Sequence, residues 1–295
     1  YTAALVGNPN CGKTLLFNSL TGSNQYVGNW PGVTVEKKSG FTEDGKFEIV
    51  DLPGVYSLSP YTMEEFITRD FILDQRPDLL INVIDGSNIE RNLYLTLQVL
   101  ELSVPTVVAV NMIDRVEADG GEIDCGRLSA RLGVPVIPVS AKADWHIDRV
   151  MQAAERLARG GLRGGKPVFY TPSARRMLDE IAAAAADCCS DGDPLLFYAG
   201  KLAERDEEIS KRLKLPQEAA RRIDGIVEAY LKQEKRCDRE TVMAQIRYQY
   251  IETLTEESVR KPEGAGKSSV TDRIDRVLTN RFLALPIFFL IIFFI

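Results

Sequence analysis

Histidine is nearly absent from this sequence: the 295 residues contain only one, His146. Cysteine is scarce too. Its five copies, Cys11, Cys125, Cys188, Cys189 and Cys237, include no C-x-x-C pair. These shortages exclude a zinc finger or zinc ribbon, whose tetrahedral site needs closely spaced thiolate and imidazole ligands. So few cysteines in so long a chain also exclude a disulfide scaffold and fit a reducing compartment. A surplus of positive charge is missing as well. Lys and Arg number 36 against 42 Asp and Glu, a formal net charge of −6, which argues against a general nucleic-acid binder. No basic-then-apolar leader follows Tyr1, so the chain reads as a trimmed one. What is present is a 45% hydrophobic composition, that of a folded protein long enough for two ordinary domains.

The apolar pattern divides the chain. Residues 1–163 alternate short β-type runs with helical stretches. Strands are expected at 3–6, in a hairpin around Glu43-Asp44-Gly45, and at 79–84, 106–110 and 134–139. Most are unbroken Val/Ile/Leu runs, as in central strands covered on both faces. Helices are expected near 14–20, 60–74, 88–102, 122–132 and 146–159, giving a doubly wound α/β domain with a mostly parallel sheet. A Gly-rich, basic stretch then breaks the pattern, and 164–170 is assigned as linker. Thr171-Pro172 supplies an N-cap and a first-turn proline. Further helical segments are expected at roughly 194–213, 217–235 and 239–257 with no strand among them, so 171–258 reads as a small all-helical domain.

Residues 259–281 read as a linker and an amphipathic juxtamembrane segment. Val270, Ile274, Val277, Leu278 and Phe282 share one helical face, with Arg273, Arg276 and Arg281 elsewhere around it. The last 14 residues, 282–295, carry no charge. That is short of the about 20 residues a bilayer span needs. The run is still apolar at its last residue and basic residues precede it, so it reads as a truncated first transmembrane helix rather than a core helix.

Chemistry concentrates at strand ends. Gly7-Asn8-Pro9-Asn10-Cys11-Gly12-Lys13-Thr14 fits G-x-x-x-x-G-K-[ST] between an apolar strand and a helix. Such a loop wraps phosphates with backbone N–H groups. Lys13 is expected to neutralise the β- and γ-phosphates and the Thr14 hydroxyl to ligate Mg²⁺. Asp51-Leu52-Pro53-Gly54 ends the next strand: Asp51 is placed to hold Mg²⁺, and the Gly54 N–H to sense a γ-phosphate. Thr34 lies between these two elements and is the candidate to complete the Mg²⁺ shell. Asn111-Met112-Ile113-Asp114 comes directly after the strand at 106–110. Asp114 can accept from guanine N1–H and N2, which adenine does not match. The common form is N-K-x-D; Met112 replaces the lysine, and its tether to the P-loop is expected to be lost. Ser140-Ala141-Lys142 matches the loop whose Ala N–H reads guanine O6. In this order the elements make a Ras-like P-loop GTPase domain, with the nucleotide at the carboxyl ends of the strands. Val55 and Tyr56 stand where a water-orienting glutamine is found in Ras-type enzymes, so intrinsic turnover is expected to be slow. Asn10 reads either as a turn residue after Pro9 or as a K⁺ ligand beside the phosphates.

These segments, together with Val27-Gly28-Asn29-Trp30-Pro31-Gly32-Val33-Thr34-Val35-Glu36 and Asp51-Leu52-Pro53-Gly54-Val55-Tyr56-Ser57-Leu58, resemble the cytoplasmic N-terminal part of the bacterial ferrous-iron transporter B family (FeoB). The resemblance covers essentially the whole chain, and Met112 is usual for that family. It implies a GTPase hydrolysing GTP to GDP, a helical domain that steadies GDP binding, and a membrane domain of the same polypeptide beyond residue 295 that moves Fe²⁺ inward. It also implies K⁺ stimulation through Asn10 and the Gly28 and Trp30 carbonyls, and a place on the cytoplasmic side of the bacterial inner membrane. Small accessory proteins and a homo-oligomer are further implied partners, and nucleic acid is not.

Other candidates are structural. Cys188-Cys189 sits on an Ala-rich helix, His146 beside Trp145 begins a helix, and the acidic run at Glu204, Asp206, Glu207 and Glu208 reads as a solvated face. Two rival functions share the nucleotide elements. One is a soluble GTPase of ribosome assembly or tRNA modification, which would carry a basic RNA-binding appendage. The other is a nucleotide-sensing switch that barely turns over.

Overall fold

The computed structural model describes residues 1–22, 25–59, 61–160, 170–235 and 238–260. The juxtamembrane segment expected at 259–281 and the transmembrane helix expected at 282–295 lie outside these residues, apart from Val259 and Arg260. Among the described residues no helix is long and apolar enough to cross a membrane.

The first unit runs β1 Thr2–Gly7, α1 Lys13–Thr21, β2 Gln25–Asn29, β3 Glu36–Phe41, β4 Glu48–Asp51, α2 Met63–Gln75, β5 Leu79–Asp85, α3 Ile89–Glu101, β6 Thr106–Asn111, α4 Ile113–Ala118, β7 Glu122–Ile123, α5 Cys125–Leu132, β8 Val136–Pro138 and α6 Ile147–Gly160. Seven strands form one sheet in the order β2-β3-β4-β1-β5-β6-β8. From β4 to β8 every pairing is parallel, while β2, β3 and β4 pair antiparallel. The central strands are buried throughout: Ala3 to Val6, Leu79 to Ile81 and Val107 to Val110 are fully shielded from solvent. This accounts for their unbroken apolar composition, because helices cover both faces.

The second unit comprises α7 Pro172–Ala185, α8 Leu195–Ala203, α9 Glu207–Arg212, α10 Gln217–Gln233 and α11 Val242–Ser258, closed by β9 Val259–Arg260. As expected, Thr171 caps α7 by accepting from Ala174 N–H, with proline in the first turn. Met177, Leu178, Ile181, Phe197, Ile223, Val227, Val242 and Ile246 pack in one core with Val50, Leu52, Leu95 and Val99 of the first unit. The helical unit thus shares its apolar core with one face of the sheet.

Several expected elements differ. The segment expected as one helix at 194–213 breaks between α8 and α9, because Arg205 takes φ 59° and Asp206 caps a new helix by accepting from Ile209 N–H at 3.0 Å. The helix expected from 122 begins at Cys125, capped by Asp124, and Glu122–Ile123 is a strand instead. That strand pairs antiparallel with β9, a strand where none is expected from the sequence. Edge strand β2 is also absent from the sequence pattern; four of its five residues are exposed, so it has no apolar alternation to read. Tyr170, in the assigned linker, is held by a 2.7 Å hydrogen bond from its hydroxyl to Glu101.

Candidate functional site: a phosphate loop and the segments around it

The P-loop leaves β1 at Gly7 and enters α1 at Lys13. Gly12 takes φ 86°, and a Cβ there would clash with Asn111 Nδ2, so both conformation and space demand glycine. No side chain caps α1. Its first N–H groups therefore point out of the helix without a side-chain acceptor, the arrangement that favours an anion. Asn8 is 3% exposed, yet neither amide atom has a hydrogen-bond partner. An orphaned buried amide costs ~1–3 kcal/mol, and a loop that carries one is built for a further polar contact. Burial pushes the Cys11 thiol up to about 11, against the pull of Lys13, so it is an uncharged packing group at neutral pH.

Asp51 ends β4 beside this loop. Its carboxylate pairs with the buried Lys13 ammonium, and Thr14 Oγ1 donates to the other oxygen at 3.5 Å. A lysine, a hydroxyl and a carboxylate are thus gathered at the start of α1. The segment after Asp51 is strapped to the P-loop: Val55 N–H donates to Gly7 O at 3.1 Å, and a Cβ on Gly54 would lie 3.1 Å from Pro9 Cα and 3.2 Å from Pro9 N. Movement at Gly54 is therefore felt directly by the phosphate loop. Val55 is 2% exposed, and Tyr56 lies under the Arg91 guanidinium at 4.0 Å.

Asn111 is the fastener of the site. Its Nδ2 donates to Cys11 O at 2.8 Å and its Oδ1 accepts from Ala141 N–H at 2.9 Å. One buried side chain so joins the P-loop to the Ser140-Ala141-Lys142 loop, and the Ala141 amide assigned to guanine O6 donates to Asn111 here. Met112 takes φ 61° at the start of α4, with its Cε 4.0 Å from the position of a Cβ on Gly12. The end of its side chain lies near the P-loop, but a thioether donates no hydrogen bond, so the lysine's tether is not replaced, as the sequence pattern leads one to expect. Asp114, in the first turn of α4, and Lys142 are exposed, while Ser140 is buried.

Thr34 is exposed in the loop between β2 and β3. Gly28 lies in β2 opposite Lys37, and Asn10, at φ 65°, is exposed. The loop is anchored by Trp30, which is 7% exposed and meets Phe71 of α2 edge-on at 5.4 Å. Trp30 O accepts from Val33 N–H at 3.2 Å, leaving one lone pair.

The sequence reading missed the groups that hold the segment around Gly54, one of them from the helical unit. Lys201 of α8 is fully buried and donates to Ser59 Oγ at 2.7 Å. Gln98 Oε1 accepts from Leu58 N–H at 2.6 Å, and Thr68 Oγ1 of α2 donates to Pro53 O at 3.2 Å. Behind Lys201, Glu204 bonds both Lys201 at 3.1 Å and Arg247 at 2.9 Å, and Arg247 holds Glu101 of α3 through bonds of 2.8 and 3.0 Å. A charge isolated in the apolar run Leu196-Phe197-Tyr198-Ala199-Gly200-Lys201-Leu202 was the available signal. The acidic run expected as a solvated face also divides: Glu204 faces Arg247 with 14% side-chain exposure, and Asp206 caps α9.

A mostly parallel sheet with an uncapped Gly-rich loop after β1, a strand-end Asp on its lysine, and an Asn-x-x-Asp segment beginning at the end of β6 defines a P-loop GTPase fold of the Ras-like type. Residues 1–154 match the family described as ferrous iron transport protein B, and residues 170–260 match its cytosolic helical domain. The chain belongs to this family. The Fe(2+) transporter FeoB of Escherichia coli (strain K12) is 40% identical over 298 residues, covering 99% of this chain and 37% of that protein. The chain thus spans little more than a third of the length of the curated relatives it matches. A GDP-bound mutant of the S. thermophilus FeoB G-domain superposes with a TM-score of 0.83 at 39% identity, covering 88% of this chain and 99% of that one. S. thermophilus NFeoB bound to GDP, AlF4⁻ and K⁺ superposes with a TM-score of 0.79 at 40% identity, covering 86% and 99%.

Proposed function

We propose that this chain is the cytoplasmic GTP-binding and GTP-hydrolysing part of a ferrous-iron transporter whose membrane domain follows in the same polypeptide. The observation that carries this reading is the convergence on one loop: Asp51 on Lys13, Gly54 against Pro9, and Asn111 between Cys11 and Ala141. In it, the α1 N-terminus and Lys13 hold the phosphates. Asp114 reads guanine N1–H and N2, and guanine O6 shares the Ala141 N–H with Asn111. Thr34 and the Gly54 N–H answer to the γ-phosphate. Mg²⁺ fits the oxygen donors of Thr14 and Asp51, with Thr34 as the third candidate, and would neutralise phosphate charge. K⁺ fits the exposed Asn10 amide and the Gly28 and Trp30 carbonyls. It would supply the charge of an arginine finger, offsetting the lack of a water-orienting side chain at Val55 and Tyr56.

The test is hydrolysis of GTP and ATP in matched K⁺ and Na⁺ buffers, wild type beside Asn10→Ala. GTP-selective turnover that is faster in K⁺, with the ion effect removed by Asn10→Ala, is expected. Turnover indifferent to both would move the reading to a slow nucleotide-sensing switch, which the burial of Val55 and the stacking of Tyr56 favour. In this reading GTP hydrolysis gates or drives ferrous uptake through movement of the Thr34 and Gly54 segments; normal uptake by the full-length Lys13→Ala transporter after loss of hydrolysis would sink that coupling.

A further inference from the structure

A sizeable cleft lies away from the phosphate loop, between the N-terminal end of α3 and the C-terminal half of α11. It has a volume of about 820 Å³ and adjoins a second of about 450 Å³, the two sharing Glu90, Arg91 and Val259. Its walls mix an apolar floor with acid. Ile251 is buried, Tyr248 is 54% exposed, and Glu90, Glu252 and Glu256 are exposed along the rim.

The described chain reaches Val259 on this cleft and Arg260 on the adjoining one. There β9 is fixed in place: it pairs with β7, and Asp124 N–H donates to Ser258 O at 2.8 Å. The sequence after Arg260 complements the cleft in charge and in apolar spacing. Residues 261–269 are rich in Gly, Ser and Lys, and residues 270–281 put Val270, Ile274, Val277 and Leu278 at one helical spacing with Arg273, Arg276 and Arg281 around them. Lengths also agree. The nine residues before Val270 can span at most about 30 Å, ample for a reversal of direction. Tyr248 to Ser258 covers roughly 15 Å of α11, and 12 residues at helical rise cover roughly 18 Å.

We propose that this cleft is the docking site of the chain's own basic segment, residues 270–281, with its apolar side on Tyr248 and Ile251 and its arginines against Glu252 and Glu256. The inference goes beyond the GTPase reading and does not depend on hydrolysis. Its consequence for that reading is positional: Arg91, which lines the cleft, also stacks on Tyr56 two residues after Gly54.

The test uses the whole 295-residue chain in detergent, with photoreactive benzoylphenylalanine in place of Tyr248 and, separately, of Glu252 so that loss of the Tyr248 ring cannot decide the result. Cross-linked peptides are then mapped by mass spectrometry. Intramolecular products on residues 270–281 are expected, at least tenfold above a probe at exposed Tyr26. With the Tyr248 probe, Glu252→Lys with Glu256→Lys should lower the yield at least fivefold, and adding Arg273→Glu with Arg276→Glu should restore it. Products only on a second copy or on detergent, or yields from both probes no higher than at Tyr26, would overturn the proposal.

Discussion

For single residues, tolerance is decided by how closely backbones approach. A Cβ on Gly54 would sit 3.1 Å from Pro9 Cα and 3.2 Å from Pro9 N, and both neighbours are backbone atoms of the phosphate loop. Gly54→Ala is therefore expected to push the two loops apart, at a cost of about 1–3 kcal/mol by overpacking. Nucleotide affinity should fall with it. Denaturant unfolding and fluorescent-GDP titration check the two effects, and an unchanged affinity would mean that the loops separate without disturbing the phosphate cradle. Asn111 is a different case. Its sequence context marks it as part of a base-reading segment, but its amide nitrogen donates to Cys11 O and its amide oxygen accepts from Ala141 N–H. The motif is legible because its spacing after an apolar strand is distinctive. The job of that asparagine is not, because its partners lie 100 and 30 positions away.

Among the elements, the decisive contact runs from α8 to the segment after Gly54. Lys201 is buried and donates to Ser59, so the helical unit holds this segment in one position. Lys201→Met keeps the apolar stem and removes the hydrogen bond to Ser59 together with the ion pair to Glu204. GDP release measured by stopped flow is expected to accelerate several-fold, and Ser59→Ala should act alike. If the bond is the cause, the double variant should release GDP no faster than either single one; additive effects would assign the influence to packing instead. Helix boundaries in this unit are only partly legible in the sequence. Thr171-Pro172 announces α7 because capping is a local signal. The break between α8 and α9 rests on the positive φ of Arg205, a residue with no local preference for it.

Across the molecule as a whole, the two units are joined by a desolvated ion cluster as well as by a shared apolar core. Arg247 and Glu101 are both 0% exposed. Replacing one member leaves the other charged and buried, so Arg247→Met is expected to cost about 3–5 kcal/mol, whereas replacing Glu101 together with Arg247 by apolar residues should recover most of it. Thermal and denaturant unfolding check this, and equal losses in the single and double variants would contradict it. The same cluster sets an acid limit. Burial alone would raise the pKa of Glu204, but Arg247 and Lys201 hold it below its ordinary value. A carboxylate so lowered stabilises the fold above its unfolded pKa of about 4.3 and loses that contribution as the pH falls through the lower folded value. Stability is thus expected to drop below about pH 4, and Glu204→Gln should flatten that limb of the curve.

Local signals are enough to establish the Ras-like order of strands and helices, the phosphate loop, the Asp51 and Asn111 segments and the presence of a helical unit. Those signals are apolar runs, glycines at fixed spacing, a cap and a proline, each readable within a few residues. Packing in three dimensions was needed to show that Asn111 joins the P-loop to the Ala141 loop, that Trp30 anchors its loop on Phe71, and that Glu101, Arg247, Glu204, Lys201 and Ser59 form one chain of contacts. The pairing of β7 with β9 belongs with them, since Glu122 and Arg260 are brought together only when α11 packs back on the sheet unit. A pair of residues more than a hundred positions apart has no local pattern to announce it. Burial then makes the pairing obligatory, because an unpaired charge in the core would cost more than the fold can spare.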